Sequence, residues 1–266
     1  MKLGISYNLF DGEELLEGSI NCIRKHVDFI SVVYQRVSNF GNEANPNLVD
    51  DLIRMQSNGL VDELYEYTPI VFNGAGNEIE KRNIGLQLSK NVGCSHHMSI
   101  DADEYYIEYE FKYAKEKIVR DDNDASFCPL ISYYKTWEHI IKITETLSNP
   151  LTFPPYVSMI YKIKENSLFL TKGRSIVLVD PTRKIQPINN PIIFERNEIQ
   201  MHHGSYIRNN IATKLVNSSA NKNFNKDIDN IINYYNSWNY PEQALWAGKP
   251  TKLYSVEKIK KLFNNT

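Results

Sequence analysis

The stretch HHMSIDADEYY, residues 96–106, decides how the rest of the chain is read. Its first six residues read as a buried strand, which ends in Asp101, Ala102, Asp103, Glu104, three carboxylates within four residues. Side chains two apart on a strand point to the same side, so Asp101 and Asp103 would face one cleft together. Like charges held that close disfavour each other's ionised form unless something positive stands beside them. A divalent cation is one such partner, because Mn²⁺ or Mg²⁺ takes oxygen ligands and keeps positions free for phosphate oxygens. The plain alternative for an isolated Asp-x-Asp is a pair of surface acids, one of them capping the next helix.

Outward from this stretch, strands and helices alternate. LGISYNL (3–9) is a short apolar run, and EELLEGSINCIRK (13–25) places Leu16, Ile20 and Ile23 at helical spacing. FISVVYQ (29–35) is β-branched and aromatic. NPNLVDDLIRMQSNG (45–59) opens on Asn45 and Pro46 as cap and first turn, carries Leu48, Leu52 and Met55 on one face and closes at Gly59. ELYEYT (63–68) reads as a third strand and NEIEKRNIGLQLSKNVG (77–93) as a helix with Gly93 as stop. The order predicts an α/β fold with a mainly parallel sheet and right-handed crossovers. Ligands of such sheets sit beyond the carboxyl ends of the strands, which here means Ser6, Tyr7 and Asn8, then Gln35, then Tyr67 and Thr68, then Asp101 and Asp103.

After about residue 125 the alternation gives way to strand-like runs (SFCPLISYY, YVSMIYKI, SLFL, RSIVLV, IIFER) between Pro- and Asn-rich turns, a β region suited to an acceptor. From about 208 onward, Asn-, Lys- and Ile-rich segments read as helical, broken at Pro241 and Pro250. The 266 residues are 42% hydrophobic and 23% charged, which fits one large domain or one domain with an appendage. No run of eighteen apolar residues occurs, and the opening lacks the basic-then-apolar order of an export signal, so a cytoplasmic protein is expected. Cys22, Cys94 and Cys128 show no C-x-x-C spacing and read as reduced core residues. The net charge of −2 hides an asymmetry: from Lys214 on, eight Lys oppose four acids, which leaves −6 for residues 1–213. That basic tail is the part expected to meet a polyanion or an anionic membrane surface, against the bland reading of a solvated helical face.

The run KRNIGLQLSKNVGCSHHMSIDADE (81–104) resembles the family 2 type glycosyltransferases of the GT-A fold. That group shows an Arg-Asn-x-Gly helix, a glycine before the next strand and an Asp-x-Asp in the nucleotide-sugar site, matched here by Arg82, Asn83, Gly85, Gly93, Asp101 and Asp103. ISYNLFDGEELLEGSINCI (5–23) is similar to the group's first strand and helix, and DADEYY is closer to the family 92 type. The resemblance covers about the first 110 residues. It implies a mostly parallel GT-A sheet flanked by helices, with residues 1–110 as nucleotide-sugar half, 111–210 as β-rich acceptor half and 211–266 as a helical extension. It implies a metal-dependent transfer of a sugar from a nucleotide-diphosphate donor, with a UDP-sugar first among donors, to a hydroxyl of a glycan or lipid-linked acceptor.

By the same resemblance, Ser6, Tyr7, Asn8, Gln35, Arg82, Asn83 and Asp101 belong to donor binding, and Asp101 and Asp103 to the metal. One departure stands out: where the family carries an acid that reads uracil, YQRVSNFGN (34–42) offers Gln35 or Arg36. MHHGSYIRNNIATK (201–214) looks like the family's late segment, in which His202 or His203 completes the metal site and Arg208 and Lys214 stand by the diphosphate. An inverting transfer needs a base on the acceptor side, and the β region offers Glu138, among Tyr133, Tyr134 and Trp137, and Asp180. His96 and His97, inside the strand, read as structural. Rival classes are a nucleotidyltransferase, whose Gly-rich, Arg-containing phosphate loop SYNLFDGEE lacks, a non-catalytic sugar-binding protein, and a phage-type transferase acting on a hydroxymethylated DNA base.

Overall fold

The computed structural model describes residues 1–142, 156–172, 176–218, 225–245 and 253–263. Strands β1 (Leu3–Leu9), β2 (Phe29–Tyr34), β3 (Glu63–Glu66) and β4 (His96–Asp101) pair in the order β3-β2-β1-β4, all parallel. β1 and β2 are buried at every position, as near-continuous apolar strands covered on both faces must be. Helices α1 (Glu13–Ile23), α2 (Leu48–Ser57), α3 (Gly74–Asn91) and α4 (Glu108–Arg120) supply the cover. α3 lies across β1, β2 and β4. It comes so close that a Cβ on Gly85 would sit 2.1 Å from Ser6 Oγ, and this approach carries Arg82, one turn earlier on α3, to the carboxyl end of the sheet.

The second half is antiparallel or mixed: β5 (Glu104–Tyr105), β6 (Ala125–Tyr134), β7 (Thr136–Lys142), β8 (Tyr156–Lys162), β9 (Leu168–Phe169), β10 (Ile185–Gln186), β11 (Pro191–Ile193) and β12 (Met201–Tyr206). β8 runs antiparallel to both β4 and β6, and so extends the sheet past the Asp-x-Asp strand. The far half of β6 turns away to pair with β7 and β12. β12 also pairs antiparallel with β5, which sets His202 opposite Tyr105 and His203 opposite Glu104. The sequence expectation of a mixed α/β fold, parallel first and β-rich second, is what the chain adopts. Arg174 and Ser175 of RSIVLV lie outside the described residues, and residues 176–179 form no strand.

The last segment departs from the expected helices. α5 (Ile211–Asn217) and α6 (Ile228–Ser237) are helical, but β13 (Ala244–Leu245) and β14 (Leu253–Lys258) are strands, and β14 pairs antiparallel with β7. Packing decides this. Tyr206, Ile211, Leu215, Ile231, Tyr235, Trp238 and Tyr254 form one apolar cluster with Tyr134 and Ile141, and Phe263 packs against the touching rings of Tyr105 and Trp137. Cys94 and Cys128 are buried, Cys22 is half-buried, and all three are free. Among the described residues no helix is long and apolar enough to cross a membrane.

Candidate active site

β4 brings its terminal acids to the carboxyl edge of the sheet, where Asn8 on β1 is in register with Asp101. The positive partners that the acid cluster requires are supplied by the chain itself. Asp101 accepts from Arg82 Nη2 (3.4 Å) at Oδ1 and from Arg183 Nη2 (2.5 Å) at Oδ2. Arg183 also grips both oxygens of the buried Glu104, with Nη1 donating to Oε2 at 2.9 Å. Asp103, 3% exposed, accepts from Arg208 Nη2 (2.5 Å) and Lys214 Nζ (3.2 Å) at Oδ2, while His203 Nε2 stands 3.7 Å from Oδ1. Burial alone would raise both aspartates, but the cations outweigh it. Arg183 and Arg82 bring Asp101 down to about 2, and Lys214, Arg208 and His203 hold Asp103 far below the carboxylate range. Both stay ionised. Glu104 moves the other way, raised by burial and by the Asp101 charge against the pull of Arg183.

Arg183 was not legible in the sequence. The signal that could have found it is the acid cluster's demand for cations, which Arg82, Arg208 and Lys214 do not meet at Glu104.

The two late histidines separate by strand alternation. His202 points inward, its Nδ1 2.8 Å from Tyr133 OH and its ring 5.0 Å from Phe263, and burial lowers its pKa to about 4. It belongs to the core. His203 points to Asp103, and burial, against the Asp103 charge, keeps its imidazole on the neutral side. A carboxylate oxygen suits Mn²⁺ or Mg²⁺, and a neutral imidazole nitrogen beside it favours the transition-metal ion of the two. Asp101 is a poorer donor, since both its oxygens are engaged by guanidinium groups. Among the described residues no group of three His, Cys, Asp or Glu gathers as a metal site; Asp103 and His203 face each other as a pair.

A cavity of about 750 Å³ opens over these acids, lined by Asn8, Phe10, Gln35, Phe40, Phe72, Lys81, Arg82, Asp101, Asp103, Asp180, Arg208 and Lys214 among others. Its polar lining is incompletely satisfied. Arg82 Nε, Arg208 Nε and Nη1, both amide atoms of Asn8, and Gln35 Oε1 are buried without a hydrogen-bond partner. Gln35 Nε2 donates one hydrogen to the Val37 carbonyl at 2.8 Å, which leaves the buried Oε1 as the acceptor without a partner. Gly12 makes room for Arg208: a Cβ there would lie 1.5 Å from Nη1, and its φ of +85° is a conformation glycine adopts freely.

Other expected site residues stand elsewhere. Ser6 lies beneath Gly85, and Tyr7 OH meets Ser19 Oγ (3.1 Å) in the core. Asn83 is spent on β9, exchanging bonds of 3.1 and 2.8 Å with Phe169. Glu138 is not brought to the cleft: it lies on β7 and pairs with Lys258 at 3.4 Å, while Tyr133 and Trp137 pack with Tyr105 and Phe263 as core. Asp180 does line the cleft, its Oδ1 accepting from Thr182 N and Oγ1 at 2.7 Å each. His96 and His97 are buried in β4, with Ser89 Oγ 2.9 Å from His97 Nδ1. Of the tail lysines, Lys214 serves the cleft and Lys258 serves Glu138, while Lys222, Lys249 and Lys252 lie outside the described residues.

No family model and no curated protein sequence matches the chain. Solved structures similar to it include S. aureus TarS, at 12% identity and a TM-score of 0.48 over 90% of this chain and 44% of that one. S. aureus TarS 1–349 in complex with UDP gives 12% and 0.48 over 90% and 72%. GalNAc-T7 with UDP, GalNAc and Mn²⁺ gives 17% and 0.38 over 50% and 24%. The chain thus spans less than half the length of the first TarS structure. At these scores the likeness carries no functional weight, and the chemistry rests on the side chains.

Proposed function

We propose that the chain is a glycosyltransferase that moves a sugar from a uridine-diphosphate donor to a hydroxyl of a glycan or lipid-linked acceptor, with inversion. The observation that carries this is the set of unpaired groups in one cleft: buried Arg82 and Arg208 nitrogens and the Asn8 amide at the acid end, with the Gln35 acceptor on the same lining. Buried donors without partners are rare in folded chains, and phosphate oxygens are the acceptors that arginine forks fit best. Arg208 and Lys214 would hold the diphosphate as charge develops on it. Phe40 and Phe72, whose rings meet edge to face at 6.5 Å, offer apolar surface to a base. Asp180, with Oδ1 engaged by Thr182, has Oδ2 to take the proton from the acceptor hydroxyl. The residues fit a divalent cation held by Asp103 and His203, which when bound would stabilise negative charge on the leaving diphosphate.

Gln35 favours uridine in spite of replacing an acid. With one amide hydrogen committed to Val37, its Oε1 is the atom left without a partner, which matches the N3–H of uracil and would stay unpaired against the bare N3 of cytosine. Calorimetric titration is expected to show UDP binding at least about tenfold more tightly than CDP, because a buried polar group left unpaired is costly. Gln35→Glu is expected to keep the preference and Gln35→Leu to erase it; equal affinities in the wild type would contradict the reading.

The metal assignment has its own test. At pH 8 in the presence of UDP, His203→Ala is expected to weaken Mn²⁺ binding by roughly 10- to 100-fold, and His202→Ala to lower the melting temperature with Mn²⁺ affinity unchanged. Equal Mn²⁺ affinities in all three proteins would remove His203 from the coordination.

A further inference from the structure

Arg183 connects parts of the cleft that are distant in sequence. It ends the 3-10 turn Pro181–Arg183 and is 4% exposed. Its guanidinium spans Asp101 and Glu104, and its carbonyl accepts from Ser158 Oγ (3.0 Å) and Tyr161 OH (3.2 Å) on β8. Its N–H donates to the Asp180 carbonyl at 3.0 Å, closing the turn that carries the Asp180 carboxylate. Asp180, Pro181 and Thr182 line the cavity, whereas Arg183 lies behind it, its forked nitrogens spent on protein carboxylates.

We propose that Arg183 is a positioning residue: by bridging Asp101 and Glu104 it fixes the Asp101 carboxylate and seats the Asp180 turn across the cleft from the Asp-x-Asp. The role rests on the glycosyltransferase reading given above. A planar fork is required, because a lysine ammonium is a point charge that cannot bind two carboxylates with fixed geometry. Arg183 acts on orientation, so its loss should be felt in kcat while the donor, held by Gln35, Arg208 and Lys214, still binds.

The test uses the full chain as wild type, Arg183→Lys, and the double variant Arg183→Met with Glu104→Gln, which leaves no unpaired glutamate where the salt bridge was. Melting temperature, UDP affinity by calorimetry, and kcat and KM for the UDP-sugar the wild type turns over are measured together. The double variant is expected to melt near the wild type and bind UDP within about threefold, yet to lose roughly a hundredfold in kcat, the scale of a misplaced catalytic group. Arg183→Lys is expected to lose most of kcat at nearly constant KM. Recovery of kcat in the double variant, or full kcat in Arg183→Lys, would show Arg183 to be structural and overturn the proposal alone. A wild type that neither binds UDP nor turns over any UDP-sugar would overturn the glycosyltransferase reading and this role with it.

Discussion

Asp103→Asn is expected to reduce UDP-sugar turnover by about 10²- to 10³-fold, the range seen when a preorganised electrostatic group is removed from an active site. The reason is the number of groups Asp103 organises. One oxygen holds Arg208 and Lys214, the other faces His203, and all of this happens at a side chain 3% exposed. The amide keeps the shape and removes the charge, so two cations lose their counter-ion and the Asp103–His203 pair loses its anionic member. Stability falls as well, since breaking a buried ion pair by removing one partner typically costs about 3–5 kcal/mol. UDP release and thermal melting of the same sample separate the two effects. Turnover within threefold of the wild type would mean that the acid cluster is scaffolding.

The second large effect is on stability against pH. Burial lowers His97 to about 3 and His96 to about 4, from 6.5, with Arg82 and Lys90 adding to the first, and the amino terminus and Lys162 to the second. Between those values and 6.5 the unfolded chain binds more protons than the folded one. Stability is therefore full above pH 6.5 and is lost as pH falls. At up to about 1.4 kcal/mol per unit for a fully buried group, acidification from pH 6.5 to 4.5 is expected to remove several kcal/mol, with His202 acting in the same direction and the raised Glu104 offsetting part of it. His97 is the harder case: its Nε2 is buried without a partner, so a proton there meets no acceptor. Urea midpoints at pH 6.5, 5.5 and 4.5 measure this, and a flat series would contradict a net uptake of protons on unfolding by the buried histidines.

The parallel half of the fold was readable because its strands are uninterrupted apolar runs and its helices repeat at three and four residues. The acid pair was readable because three carboxylates in four residues demand an explanation. What filled that demand was not, because Arg183 lies 82 residues beyond Asp101, in a turn whose local sequence, DPTRK, says nothing of where it docks. α4 had a usable signal in Phe111, Ala114 and Ile118, obscured by the charges around them. The aromatic run at 133–137 fits stacking on a sugar as well as core, and only the arrival of Tyr105 and Phe263 decides for core. Likewise two adjacent histidines on a strand must face opposite sides, but which one meets Asp103 depends on the register of β12 against β5. β14 was hidden because its pairing with β7 is long-range, and only half of its six residues are apolar.

The central claim is that the cleft above Asp101 and Asp103 holds a uridine-diphosphate sugar and breaks its glycosidic bond to the diphosphate. Release of UDP from a panel of UDP-sugars by the purified full chain, with Mn²⁺ and with EDTA, tests it most directly. The account expects slow UDP release from at least one member of the panel with Mn²⁺, faster with an acceptor hydroxyl present, and lost in Asp103→Asn. No UDP release from any UDP-sugar by a folded wild type, with no measurable UDP binding, would contradict it.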